Sequence, residues 1–203
     1  MIDKQTFTQT LVEIENSLRF LAANGYRGFA CTVHSLEKLE KWGKGRQSFT
    51  ETLESIHADL GDCRRCKLAQ GRNCIVFGDG NPNAKLVFIG EGPGVEEDRK
   101  AQAFVGAAGQ LLTRIIEAIK LTREQVYICN IIKCRPPGNR NPTPEEARAC
   151  RDFLLRQIGL IRPGLILALG RISAHNLLQT DEAIGRLRGR WHALGPDRIP
   201  LAV

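Results

Sequence analysis

The sequence predicts a three-layer α/β/α sandwich built on a central, mostly parallel sheet of about four strands, with an N-terminal helical extension. Three observations predict it. The segments KLVFIGE, VYICNIIK and LILALG are continuous apolar runs, the pattern of strands buried on both faces. Stretches with helical spacing separate them. The resulting strand–helix–strand–helix–strand order brings the strands together in parallel.

Taken in order, residues 3–23 place Phe7, Leu11, Ile14, Leu18 and Leu21 on one helical face. Residues 24–49 hold Gly25, Gly28, Gly43 and Gly45 among scattered charges and read as a linker or loose arm. A helix is expected over 48–60, capped by Ser48 or Thr50. The domain boundary is set near residue 55: 1–55 is an extension of unknown role and 56–203 the main domain. In that domain, 85–91 is a strand, 107–119 an amphipathic helix and 126–133 a second strand. A helix follows over 143–158, with Thr143 as cap, Pro144 at its first position and Glu146 completing a capping box. Residues 165–170 form a third strand and 171–179 begin another helix. In sheets of this kind the ligand crevice lies beyond the carboxyl ends of the strands. Those ends are Glu91-Gly92-Pro93-Gly94, Asn130 to Cys134, and Gly170-Arg171.

The composition, 42% hydrophobic and 25% charged over 203 residues, is that of a globular protein with a real core. No apolar run approaches the ~20 residues needed to span a bilayer. The N-terminus MIDKQTFTQT lacks a basic segment followed by an apolar one, so no secretory signal is expected and the cytoplasm, with its DNA, is the expected location. Net charge is +7, and its distribution is uneven. Residues 1–60 carry 7 Lys/Arg against 8 Asp/Glu, and residues 61–203 carry 22 against 14. A basic C-terminal two thirds suits a nucleic acid partner or, equally, a solubilising surface.

Seven cysteines in a leaderless chain point to ligation or burial rather than disulfides. CRRC supplies Cys63 and Cys66; Cys134 and Cys150 follow downstream. Cys150 lies about two turns into the helix that Thr143 starts, so it can fold back toward Cys134. Four thiolates suit zinc or an iron–sulfur cluster, and spacing leaves the two open. Cys74, eight residues after Cys66, competes for a ligand place. Cys129 lies inside a buried strand and reads as core, and Cys31 has no specific role.

The stretch GEGPGVEEDRKAQAFVGAAGQLL, residues 90–112, sets glycines around the strand-end Glu91, where backbone can approach a ligand closely. Phe104 sits in a Gly/Ala-rich loop just before a helix. Singly, Glu91 reads as a turn or capping residue and Phe104 as a lid over the core. Together, GEGPG, FVGAAGQLL, NIIKCRPPGNRNPTPEE and LILALG, with CRRC upstream, resemble the iron–sulfur, or family 4, uracil-DNA glycosylases over about residues 58–203.

The resemblance implies a [4Fe–4S] cluster on Cys63, Cys66, Cys134 and Cys150, structural in role, and a monomer acting on uracil-containing DNA. It implies hydrolysis of the bond between uracil and deoxyribose after the nucleotide is flipped out of the stack, leaving an abasic site. Phe104 matches the family's stacking residue. Asn130 matches the amide that reads the Watson–Crick edge, where uracil offers an acceptor at O4 and a donor at N3, the reverse of cytosine. Glu91 and Gly92 match the first motif, on the water and sugar side; related glycosylases carry an aspartate at the place of Gly92, so no strong base is expected there. Asn139 matches a position near the scissile bond that orients water. The loop Glu91–Gly94 is the expected seat of the bulk that excludes thymine.

Two departures qualify the resemblance. The family's later His-Pro-Ser-like segment, whose histidine contacts uracil O2, follows a strand, whereas this sequence stops at RGRWHALGPDRIPLAV. His192 lies before that strand and does not take the role; the expectation is a domain truncated at its C-terminus and weakly active. In RKAQAFVG, Ala101 and Ala103 stand where the family has glycine and proline, a change expected to alter loop stiffness. Two rival readings are a non-catalytic iron–sulfur module that binds uracil-DNA and an electron-transfer protein. A covalent uracil-DNA trap would need a histidine after the first motif, and residues 92–174 contain none.

Overall fold

The computed structural model describes residues 51–203. The expected helix over 3–23, the linker over 24–49, Cys31 and the caps Ser48 and Thr50 lie outside the described residues. Six helices are described: α1 (Leu53–Leu60), α2 (Val95–Lys100), α3 (Ala107–Ala118), α4 (Pro144–Ile161), α5 (Arg171–Leu178) and α6 (Ile184–Leu187). The strands are β1 (Asp79–Gly80), β2 (Leu86–Gly90), β3 (Tyr127–Asn130), β4 (Leu165–Ala168), β5 (His192–Leu194) and β6 (Ile199–Ala202).

They form one six-stranded sheet in the order β1-β3-β2-β4-β6-β5. The expected count of about four holds for the parallel core β3-β2-β4-β6; the two extra strands, β1 and β5, add antiparallel edges. Both were invisible to hydropathy. β1 is two residues long, and β5 is three residues beside a tight turn, too short for a periodicity to show.

Side chains alternate across the sheet, as strand geometry requires. Val87, Ile89, Tyr127 and Cys129 face one layer, with Leu154, Ile158 and Ile161 of α4 and Ala174 and Leu177 of α5. Phe88 and Ile128 face the other, with Leu112 and Ile116 of α3. This is the predicted three-layer sandwich. Each fully buried aliphatic residue contributes about 1.5–3 kcal/mol. A third cluster joins Ile56 and Leu60 of α1 to Phe77 and Phe153, so α1 packs on α4.

The helix starts follow their caps. Thr52, not Ser48 or Thr50, caps α1, exchanging hydrogen bonds with Ser55. Thr143 caps α4 as expected: Glu146 N donates to Thr143 Oγ1 at 3.3 Å, and Thr143 N donates to Glu146 Oε2 at 2.8 Å. Helix α4 runs three residues past the expected end at 158, because nothing in RQIGLI breaks it before Arg162 turns left-handed at φ 48°.

Candidate active site and cysteine centre

Strands β2 and β3 end side by side, with Gly90 paired to Asn130 at the carboxyl edge of the sheet. Asn130 is 1% exposed. Its side-chain Oδ1 is buried without a hydrogen-bond partner, a costly state that a ligand donor would relieve. Beside it opens a cleft of about 390 Å³ lined by Gly92, Gly94, Phe104, Asn130 and Asn139, with the first turns of α2 and α3. The structure thus brings five of the six non-cysteine site residues together. Glu91 is not on the cleft wall. Its carboxyl is half-buried, and burial raises its proton affinity against the opposing charge of Arg171.

Gly90 explains how ring and amide meet. A Cβ there would lie 2.3 Å from Phe104 Cζ and 2.6 Å from Asn130 Oδ1. Only a bare α-carbon leaves room for both. Gly109 does the same one loop away, where a Cβ would fall 1.9 Å from the Phe104 carbonyl oxygen.

Phe104 itself adopts a left-handed backbone, φ 54°, which costs a non-glycine residue free energy. Its neighbours hold it there. Arg123 donates to the carbonyls of Phe104 at 3.1 Å and Ala103 at 2.7 Å. Glu97 Oε1 accepts from Val105 N at 2.8 Å and Gly106 N at 2.7 Å, and Asp79 accepts from Ala103 N. Ala101, at φ 56°, also occupies a conformation that suits glycine. Asp98, fully buried, accepts from Asn73 and from Cys74 N, tying α2 to that segment. The acidic run 96–98 therefore contains internal fasteners rather than reactive groups. Sequence reasoning missed Asp79, Glu97, Asp98 and Arg123, because their partners are backbone groups of remote loops.

Asn139 sits on the turn after β3, also left-handed at φ 54°, and its Oδ1 accepts from Arg135 Nε at 2.7 Å. The next residue, Arg140, donates twice to Glu146, at 2.8 and 2.7 Å. That pair holds the Glu146 carboxyl below the usual carboxylate range and clamps the turn to α4.

The four expected cysteines come from three places: Cys63 and Cys66 after α1, Cys134 after β3, and Cys150 inside α4. They lie within electrostatic reach of one another: Cys150 feels Cys66 and Cys63, and Cys134 feels Cys150 and Cys66. Burial pushes the Cys134 thiol up to about 11 and raises Cys150 as well. Arg72 works the other way: it donates to Cys134 Sγ at 3.4 Å, to the Cys63 carbonyl at 2.7 Å and to Asp62 at 2.6 Å. Arg65 donates to Cys63 Sγ at 3.4 Å. Among the described residues, no three His, Cys, Asp or Glu side chains are gathered closely enough for a single ion. The Cys74 backbone N–H donates to Asp98 Oδ1 at 3.2 Å, and Cys129 is 1% exposed in the core of β3.

The segment 77–201 matches the family model described as the uracil DNA glycosylase superfamily. The chain is 47% identical over 144 residues to a type-4 uracil-DNA glycosylase of Archaeoglobus fulgidus, covering 69% of this chain and 72% of that one. The chain belongs to the type-4 uracil-DNA glycosylases. Its likeness to the type-4 enzyme of Saccharolobus solfataricus is 45% over 147 residues, covering 70% of this chain and 68% of that one. To that of Thermotoga maritima it is 50% over 120 residues, 59% and 62% respectively. A type-5 enzyme of Thermus thermophilus is more distant, 32% identical over 118 residues. Membership of the type-4 glycosylases fits the carboxyl-end cleft. The His192 ring of this type-4 chain bonds the Leu187 carbonyl oxygen at 2.9 Å in the β5 edge, away from Asn130. No helix among the described residues is long and apolar enough to cross a membrane.

Proposed function

We propose that the chain hydrolyses the N-glycosidic bond of uracil in DNA, releasing the base and leaving an abasic site. The observation that carries this is Asn130: a buried strand-end amide with an unpartnered oxygen, beside an aromatic ring, in a member of the type-4 uracil-DNA glycosylases. The flipped uracil stacks on Phe104. Its N3–H donates to Asn130 Oδ1, and its O4 accepts from Nδ2. Cytosine would set acceptor against acceptor and donor against donor, leaving buried polar groups unpaired, and is rejected. Gly92 and Gly94 bring backbone close to the ring edge, the place for excluding the thymine methyl.

As the bond breaks, the sugar becomes cationic and uracil leaves as an anion. Glu91, ionised, stabilises the cationic side, and Asn139 orients the attacking water. Its amide is available for that task because Arg135 engages its oxygen and leaves the NH₂ free of any bond within the turn.

Cys63, Cys66, Cys134 and Cys150 would hold a [4Fe–4S] cluster. Thiol sulfurs are the donors such a cluster takes, and Cys134 feels Cys150 and Cys66 while Cys150 feels Cys66 and Cys63. The cluster would serve as a cross-link between the α1 end, β3 and α4. Burial raises the Cys134 and Cys150 thiols, so ligation there would release protons.

The test is incubation of the purified holoprotein with uracil-containing single- and double-stranded oligonucleotides, followed by alkali. Breaks at uracil are the expected result, and Asn130→Ala should abolish them while the visible absorbance persists. Retarded but intact DNA would instead favour a binding module, and release surviving in Asn130→Ala would remove that residue from base reading.

A further inference from the structure

We infer that the arginine-rich turn between α6 and β5, with Trp191 at its tip, is a second DNA-contact surface that holds an unpaired stretch of the strand flanking the uracil. This rests on the glycosylase reading and extends it to the form of the substrate.

The sheet register places the turn. His192 pairs with Leu201 across the β5–β6 hairpin, and Leu201 and Ala202 pair with Ile166 and Leu167 of β4. Trp191, one residue before His192, therefore lies level with Ile128, on the side of β5 that faces the carboxyl end of the sheet, where Gly90 and Asn130 end. Four strand spacings separate β3 from β5, roughly 19 Å at about 4.8 Å per strand. The surface is thus a few nucleotides from the cleft, on the same end of the sheet.

Its chemistry is that of a single-strand platform. Trp191 is 72% exposed, more than any other large hydrophobic residue among those described. Arg186, Arg188 and Arg190 are exposed, and their side chains make no hydrogen bond or ion pair among the described residues. Arg72, Arg140 and Arg156 are by contrast engaged, by Asp62, by Glu146, and by Glu51 with Asp59. Segment 184–198 holds four arginines against one aspartate. The turn is also built rather than loose. Leu187 is buried at its root, the His192 ring closes it on the Leu187 carbonyl oxygen, and Gly189 takes the left-handed corner at φ 72°. Guanidinium groups track a phosphate backbone, and an indole face stacks on a base. Duplex bases have no free face, so the indole selects an unpaired one.

The experiment uses the cluster-loaded full chain and uracil-free oligonucleotides, single-stranded and duplex, titrated by anisotropy at several salt concentrations. Trp191→Ala should weaken single-strand binding about 5- to 150-fold, the worth of one stacked base, and change duplex binding by less than about 2-fold. Trp191→Phe should restore most of the loss. The triple change Arg186→Gln, Arg188→Gln, Arg190→Gln should reduce the salt slope on single strands by about 2. In Trp42→Phe, where Trp191 is the remaining tryptophan of two, emission should quench on adding single-stranded DNA. Wild-type affinity in Trp191→Ala, equal losses on both DNA forms, or unquenched emission overturns the proposal. The probe carries no uracil, so such a failure leaves uracil release, read separately, untouched.

Discussion

Replacing Gly90 by alanine tests the geometry of base reading most directly. The new methyl carbon would stand 2.3 Å from Phe104 Cζ and 2.6 Å from Asn130 Oδ1, where ordinary contact begins at 3.4 Å. The ring must retreat by about 1.1 Å and the amide by about 0.8 Å, in an interior packed like a crystal. Gly90 needs no left-handed backbone, so the cost is steric alone. Overpacking of this kind costs about 1–3 kcal/mol of stability, or a Tm lower by roughly 2–12 °C for a chain of this size. The catalytic loss should be larger, because a misplacement near 1 Å at a reacting centre costs about 100-fold. The assay is single-turnover uracil release under saturating enzyme, beside a thermal melt and the visible spectrum. Gly159→Ala is the control: it lies exposed in α4 with nothing near its Cβ, and should gain about 0.5–1 kcal/mol with no change in rate. A folded, coloured Gly90→Ala protein that releases uracil at the unaltered rate would refute the placement of Phe104 and Asn130 on one base.

Further outcomes follow from the cysteines and the carboxyl. Cys134→Ala should bleach the visible absorbance and lower soluble yield, whereas Cys74→Ala should leave the spectrum unchanged; the opposite pattern would reassign the ligands. The Glu91 carboxyl is raised in the folded state, so folded protein binds more protons than unfolded protein between the two titrations, and stability falls as pH rises through that window. Glu91→Gln should therefore melt higher than the parent above the window and equal it below. Its uracil release should drop and lose the rise with pH that ionisation of Glu91 imparts; a pH–rate profile unchanged by the substitution would exclude Glu91 from charge stabilisation.

The sheet core was legible because each strand is apolar along its whole length, and a strand buried on both faces writes itself in sequence. The α4 start was legible for a different reason: Thr143, Pro144 and Glu146 satisfy local donors, and local chemistry is visible locally. Helix α2 went unread because VEEDRK, charged throughout after Val95, shows no apolar stripe. Its buried members, Glu97 and Asp98, bury carboxylates against backbone N–H groups from distant segments rather than apolar surface. The cysteine grouping was legible only as a choice among seven. Cys129 does lie among core residues, as its place inside an apolar strand implied, whereas the bond from the Cys74 backbone N–H to Asp98 left no trace in spacing. Gly90 was seen as a place for close approach, but the approaching groups are Phe104 and Asn130 themselves.

The cysteine centre and the reading pocket meet in one short stretch, residues 130–134. Lys133 lies between them, fully buried, its Nζ donating to the Asn130 carbonyl at 3.0 Å and to Gln157 Oε1 at 2.7 Å. Gln157 passes the contact on to Tyr127 OH at 3.0 Å and to the Phe77 carbonyl at 3.1 Å. Burial lowers the Lys133 proton affinity, but both hydrogen bonds of its Nζ run to oxygens, which favour the ammonium. Asn130 is thus anchored from behind by a polar network, while its side-chain oxygen is buried without a partner. An interior this polar is costly unless complete. Among the described residues, the buried side-chain oxygen left without a partner is Asn130 Oδ1, in a residue that lines the cleft, and this is what the proposed reading of a base requires.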